Sequence, residues 1–199
     1  MQASTADVLR NLMALMLEAT RRKLDEARFF YERLVRQQKR VAHDPRAFRF
    51  YLSAFIQAAR SVTWRLGNEE PEKWKAWRPK WESTHSDEDK KLMVFTKKLR
   101  NAEVKRGGTD PSVELEEVAV RELILTSQDF DLERQHPAHG MRSSSSMPGL
   151  PQAKVFRAAY YFEDEDGKEE VTALFKRYLD FLDKMLNDFC ADNQPASPQ

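Results

Sequence analysis

The residues best placed for chemistry lie in the string LRNAEVKRGG, residues 99–108. Arg100 and Asn101 are followed by Lys105 and Arg106. Asn101 and Lys105 stand four apart and share a helix face, with Arg100 flanking them. Beside the inward-facing Leu92, Phe95 and Leu99, an arginine and an asparagine are costly to bury without partners, so they suit a cleft or an interface that meets phosphate or another polar group. A second patch comes from Arg49, Ser53 and Arg60, which follow helical spacing away from the main apolar stripe of their segment, with Ser61 adjoining. Such charges more commonly serve a solvated or salt-bridged face. Arg60 nevertheless joins Arg100, Asn101 and Lys105 as a candidate cleft residue.

Other chemistry is sparse. His136 and His139 have the types of a metal pair but sit in a Ser- and Pro-rich stretch with no cysteine or third histidine nearby, so no metal site is expected. His43 and His85 fall at helix junctions, where capping or exposure accounts for them. No phosphate-cradling GxxxxGK[ST], GxGxxG or GxSxG string occurs, and no cofactor is expected. The carboxylates of Glu163 to Asp166 form a run of the kind that solvates a turn. Cys190 is the only cysteine, which rules out an internal disulfide and makes a reducing, cytoplasmic setting the simplest one.

The elements that must position these residues are helical. Apolar positions Leu9, Leu12, Met16, Leu24, Ala27, Phe30, Leu34 and Val41 recur at three- and four-residue steps, predicting a first helix from near Ser4 or Thr5 over some thirty-five residues, with Arg21 to Lys23 as the place for a break. Residues 8–19 are apolar enough to resemble a signal peptide, but they lack a basic leader and are too short to span a bilayer, so they read as a buried helix and no membrane partner is expected. Asp44 and Pro45 start a second helix, to about Leu66, with the stripe Phe48, Leu52, Phe55, Ala59, Val62, Leu66. Phe50, Ala54 and Trp64 form another apolar line beside it, and two such faces predict the centre of a bundle. Gly67-Asn68 reads as a stop. Pro71 opens a short helix limited by Pro79 and carrying Trp74, Trp77 and Trp81, which offer either a stacking surface or an aromatic edge that pins the helix down; packing is the commoner use. Ser86 and Asp89 approximate a capping box for a third main helix, Asp87 to about Arg106, ended by Gly107-Gly108.

Residues 113–125 are β-branched and partly alternate, and Phe156, Ala158, Tyr160 and Phe162 alternate strictly, predicting a small antiparallel β element. Between them residues 128–152 read as a mobile loop. After the acidic turn at 164–167, Val171, Leu174, Tyr178, Phe181, Met185 and Phe189 share one face of a last helix, and the tail from residue 192 reads as disordered. The expected architecture is therefore mainly α, a four-helix bundle with a short Trp-rich helix and a small β-hairpin-like element before the last helix, in one domain over residues 1–191.

Composition fits this architecture. Of 199 residues, 41% are hydrophobic and 33% charged, with six glycines, which suits a water-facing helical chain. Lys plus Arg number 33 against 32 Asp plus Glu, so global charge exerts no pull toward nucleic acid. Local charge does: residues 97–106 hold five basic side chains against Glu103.

The string RNAEVK late in a helix, within a helical domain of this size, resembles the signature of HEPN domains, in which an Arg, commonly followed by a polar residue, precedes a His by about five positions. The resemblance covers some twenty residues of motif helix and the general order of the bundle. It implies a helical bundle that homodimerises so that the two motifs face each other, and an RNase-type role in toxin–antitoxin, defence or RNA-processing systems, with Arg100 on phosphate. Lys105 occupies the histidine place, and a lysine with an ordinary pKa of about 10.4 is a poor proton shuttle at neutral pH. The expectation is a non-catalytic or catalytically degenerate member associated with RNA. The alternatives are a protein-binding scaffold that uses its long first helix and tryptophans, and an active RNase in which a histidine from elsewhere, such as His85, substitutes.

Overall fold

The computed structural model describes residues 17–40, 43–106, 110–118, 155–164 and 167–193. Among them are five helices, α1 (Glu18–Gln38), α2 (Pro45–Glu69), α3 (Pro71–Ser83), α4 (Asp87–Arg106) and α5 (Val171–Asp192), and three strands, β1 (Ser112–Val118), β2 (Val155–Asp164) and β3 (Gly167–Glu170). The chain is mainly helical, with a small antiparallel sheet ordered β1-β2-β3 before the last helix. No helix among the described residues is long and apolar enough to cross a membrane.

Local chemistry sets several boundaries. The Asp44 carboxylate accepts from the N–H groups of Arg46 and Ala47 at 2.9 and 3.2 Å, while Pro45 supplies a helical φ without a donor to satisfy. At the start of α4, Ser86 Oγ accepts from Asp89 N at 3.1 Å, so the capping serine works as its spacing predicts. Gly167 pairs with Asp164 at the turn from β2 to β3 and adopts φ 133°, a conformation that costs L side chains heavily.

Packing centres on α2 and α5. The stripe Phe48, Leu52, Phe55, Ala59, Val62 and Leu66 is buried, as is the predicted face of α5 from Val171 to Phe189. Phe55 stacks on Phe175 at 4.1 Å and Phe48 on Tyr160 of β2 at 3.6 Å. Each such fully buried side chain contributes roughly 1.5–3 kcal/mol from water exclusion. Side-chain contacts give the directions. Gln37 reaches the Asp44 carbonyl at one end of α1 and Thr20 meets Glu69 at the other, so α1 and α2 are antiparallel. Gln38 to Glu170, Arg28 to Asp183 and Arg21 to Cys190 make α5 antiparallel to α1 as well.

The expected β1–β2 pairing is present, with Leu115 opposite Ala158 and Val113 opposite Tyr160. On the sheet's polar side the Glu116 carboxylate receives both Arg157 and the Tyr161 hydroxyl. These two hydrogen bonds hold Glu116 below the usual carboxylate range, and Glu116 in turn pushes the Tyr161 phenol up to about 12.

Five expectations need correction. The first helix does not break at Arg21 to Lys23 and does not run through Leu17: α1 starts at Glu18, with Leu17 in a non-helical conformation. Its free amides are capped from a distance, since Ala19 N and Thr20 N donate to the two carboxylate oxygens of Glu69 at 3.0 and 2.9 Å. Gly67-Asn68 does not stop α2; a Cβ at Gly67 would lie 3.0 Å from Trp74 Cδ1, so this glycine seats the indole instead. Pro79 lies inside α3 rather than ending it. The second apolar line of α2 is not core: Ala54 is half-buried, while Phe50 and Trp64 are 67% and 62% exposed. Finally, Asp192 belongs to α5 and not to a loose tail, because it anchors Trp77. The readings at residues 1–16 and 128–152 lie outside the described residues.

Candidate nucleic-acid interface

Arg60, Arg100, Asn101 and Lys105 come from two antiparallel helices, α2 and α4. Arg60, Thr96, Leu99 and Tyr178 line a void of only about 10 Å³, room for one water at most. Burial pushes the Tyr178 hydroxyl up, a hydrogen bond with Thr96 opposing it. The seam between Arg60 and α4 is thus sealed, and the expected cleft is not open there. The apolar line of α4 is what seals it: Leu92, Thr96 and Leu99 turn inward as a continuous strip. The candidates stand along the outer lips. Arg100 is half-buried one residue beyond Leu99, its Nη1 donating to Asn101 Oδ1 at 3.2 Å. Lys105 is exposed and sits about 140° around the helix from Arg100, given about 100° per residue. It continues the Lys91–Lys98 row on the other flank of α4, so Arg100 and Lys105 do not act on one point within a single chain.

His85, a possible substitute for the missing histidine, is distant from Arg100. Fifteen residues of mostly helical chain separate them, about 20 Å at 1.5 Å per residue. It is buried edge-on against Trp81, 4.0 Å between ring centroids, and against Phe181 at 5.3 Å. Burial pushes its pKa down, with Asp89 opposing. No group of three or more His, Cys, Asp or Glu that could hold a metal occurs among the described residues. His136 and His139 lie outside them.

The most coherent polar surface is the outer face of α2. From Pro45 to Asn68 the helix carries four arginines, Arg46, Arg49, Arg60 and Arg65, and no carboxylate. Arg49 is paired with Asp110 at 3.2 Å. Arg46, Arg60 and Arg65 form no ion pair with the described residues; the Arg60 guanidinium donates to Thr63 Oγ1 at 2.6 Å, and that of Arg65 lies 5.3 Å from the Trp64 ring centre. Among them Phe50 and Trp64 stand open to solvent, fourteen residues and about 21 Å apart along the axis. Gln57 is exposed midway, its amide donating to Ser53 Oγ at 3.2 Å. Sequence reasoning found Arg49, Ser53, Arg60 and Ser61 but assigned Phe50 and Trp64 to the core. The missing signal was the absence of any carboxylate from Pro45 to Asn68.

The α3 tryptophans serve differently. Trp77 and Trp81 are buried, and their indole N–H groups donate to Asp192 and Asp188 of α5 at 2.7 and 2.9 Å. They pin α3 to α5 and leave no free stacking face.

Compared with protein-family models, with curated proteins and with solved structures, the chain matches none of them.

Proposed function

We propose that this chain is a HEPN-like RNA-binding protein without cleavage chemistry, which holds a single-stranded segment along the outer face of α2. The carrying observation is the pair Phe50 and Trp64, both mostly exposed on a helix whose only charges through Asn68 are arginines. Bases stack on such rings whatever their sequence, while guanidinium groups track the phosphates. Arg100 on the adjacent lip extends the positive surface toward α4. The HEPN resemblance supports RNA as the nucleic acid and a homodimer as the assembly. Lys105 in the histidine place and the remoteness of His85 support binding in place of cleavage.

The test is fluorescence anisotropy of a labelled single-stranded RNA oligomer at low salt, with a gel to follow its length. Saturable binding to intact RNA is expected. Trp64→Ala should weaken it by about 1–3 kcal/mol, the usual worth of one stacked base, and Arg60→Ala should reduce the salt slope by about one. Undiminished binding by both variants overturns the reading. A protein that co-purifies on this face, with no RNA bound, would make Phe50 and Trp64 a protein-docking pair.

A further inference from the structure

A second basic surface, independent of the α2 face, lies on the opposite flank of α4. Here α4 stands away from the β2–β3 hairpin and the first turns of α5, leaving a cleft of about 590 Å³. That volume falls within the range of small-molecule sites, roughly 300–1,000 Å³. Its floor is apolar, made by Leu92, Phe95, Phe162 and Leu174; Phe95 and Phe162 meet edge to face at 5.8 Å. Its rim is cationic on both sides. Lys90, Lys91 and Lys98 stand on the α4 wall, and Lys168 and Arg177 on the wall opposite.

Two carboxylates, Glu88 and Glu169, share the lining, and Lys90 and Lys168 pair with Asp87 and Glu114 just outside it. The opposite wall is held in place. Glu169 clasps Arg177 through both oxygens at 2.5 and 2.6 Å, and Lys168 is bonded to Glu114 with its ammonium 4.0 Å from the Tyr161 ring centre. Lys98 has no carboxylate partner among the described residues, and Val94 beside it is 54% exposed. On the opposite wall Arg177 is answered by Glu169 and Lys168 by Glu114, so an anion entering the cleft meets the ammonium of Lys98 on the α4 wall. The greasy floor beside it favours an anion with an apolar body.

We infer that the cleft between α4 and the β2–β3 hairpin binds a small amphipathic anion, an organic phosphate or carboxylate whose head meets Lys98 and whose apolar body lies on Phe95 and Phe162. The inference does not rest on RNA binding by α2, and each stands or falls alone.

The probe is 8-anilinonaphthalene-1-sulfonate, an aromatic anion whose fluorescence rises on entering an apolar site. The native chain should show one saturable site. Lys98→Glu and Val94→Asp, both at exposed positions, should each weaken it about tenfold, the effect expected of placing a carboxylate against the probe's anionic group. Lys97→Glu, one residue away and outside the cleft lining, should leave it unchanged. Competition then identifies the body: displacement by 1-naphthyl phosphate favours an aromatic phosphate, and displacement by decanoate favours an alkyl carboxylate. The inference is overturned by unsaturable binding, by a Lys98→Glu variant that binds as the native chain does, by inorganic phosphate that competes as well as the organic anions, or by a signal lost in Trp64→Ala and kept in Lys98→Glu.

Discussion

Two aromatic stripes at helical spacing have opposite fates in this molecule. Trp77 and Trp81 of α3 are turned inward and donate their indole N–H groups to Asp192 and Asp188; Phe50 and Trp64 of α2 are turned outward among arginines. The stripes look alike as spacing. What separates them is the polar company that the rest of the chain supplies. A buried indole needs an acceptor for its N–H, and α5 places two carboxylates at the matching interval of four residues, whereas no element of the described chain covers the outer face of α2. Aromatic periodicity therefore says that a stripe has a use, and the partner element decides whether the use is packing or recognition.

The largest expected effect tests that division directly. Trp81→Ala should cost about 3–5 kcal/mol of unfolding free energy, as large buried aromatics do, while Trp64→Ala should stay within about 0.5 kcal/mol of the native chain, as exposed substitutions do. Urea unfolding followed by far-ultraviolet circular dichroism measures both. Equal losses would mean that Trp64 is covered in solution and that the contrast between the stripes is false.

A smaller effect sharpens the role of the acceptors. Asp188→Ala removes the oxygen that receives Trp81 Nε1 and leaves the donor of a buried indole without that acceptor, at a cost of about 1–3 kcal/mol. Asp183, five residues earlier on α5, is about half exposed and pairs with Arg28 at the surface, so Asp183→Ala should cost less than about 1 kcal/mol in the same assay. If the order is reversed, the indole–carboxylate bonds do not pin α3.

Much of this was legible from residue types, and the failures share one cause. The start of α4 follows from Ser86, the start of α2 from Asp44-Pro45, and the inward face of α5 from its spacing, because each signal and its partner lie within a few residues of each other. The start of α1 depends on Glu69, some fifty residues away, so a start at Glu18 leaves no local mark. Gly67 carries the type of a helix stop but is required by the approach of Trp74. Of the candidate site, the basic character of α2 and α4 was readable. That Arg60 packs beside Leu99 over a sealed seam, and that Lys105 faces away from Arg100 toward the other flank, depends on how two distant segments lie together. The same distance predicts a measurable cap: Glu69→Gln removes a negative charge from the N-terminus of α1 and should cost about 0.5–2 kcal/mol, even though residue 69 lies on another helix. A loss confined to local fraying of α2, read by amide exchange with α1 protection unchanged, would show that the cap is not what starts α1.

The smallest effect concerns His85, which belongs to the buried stripe's environment and not to the exposed one. Burial against Trp81 and Phe181 lowers its pKa from the ordinary 6.5. The unfolded chain therefore takes up a proton at His85 before the folded one does, and stability that is complete above about pH 6.5 is lost as pH falls from there toward the lowered folded value. The native chain should thus show a falling urea midpoint between pH 7.5 and 5.5. His85→Gln, which cannot titrate, should fall less over that interval, whatever its absolute stability. Trp64 contacts no histidine among the described residues, so Trp64→Ala should keep the native slope. Identical slopes in the native chain and His85→Gln would place the pH sensitivity elsewhere and separate His85 from the aromatic packing that distinguishes the two stripes.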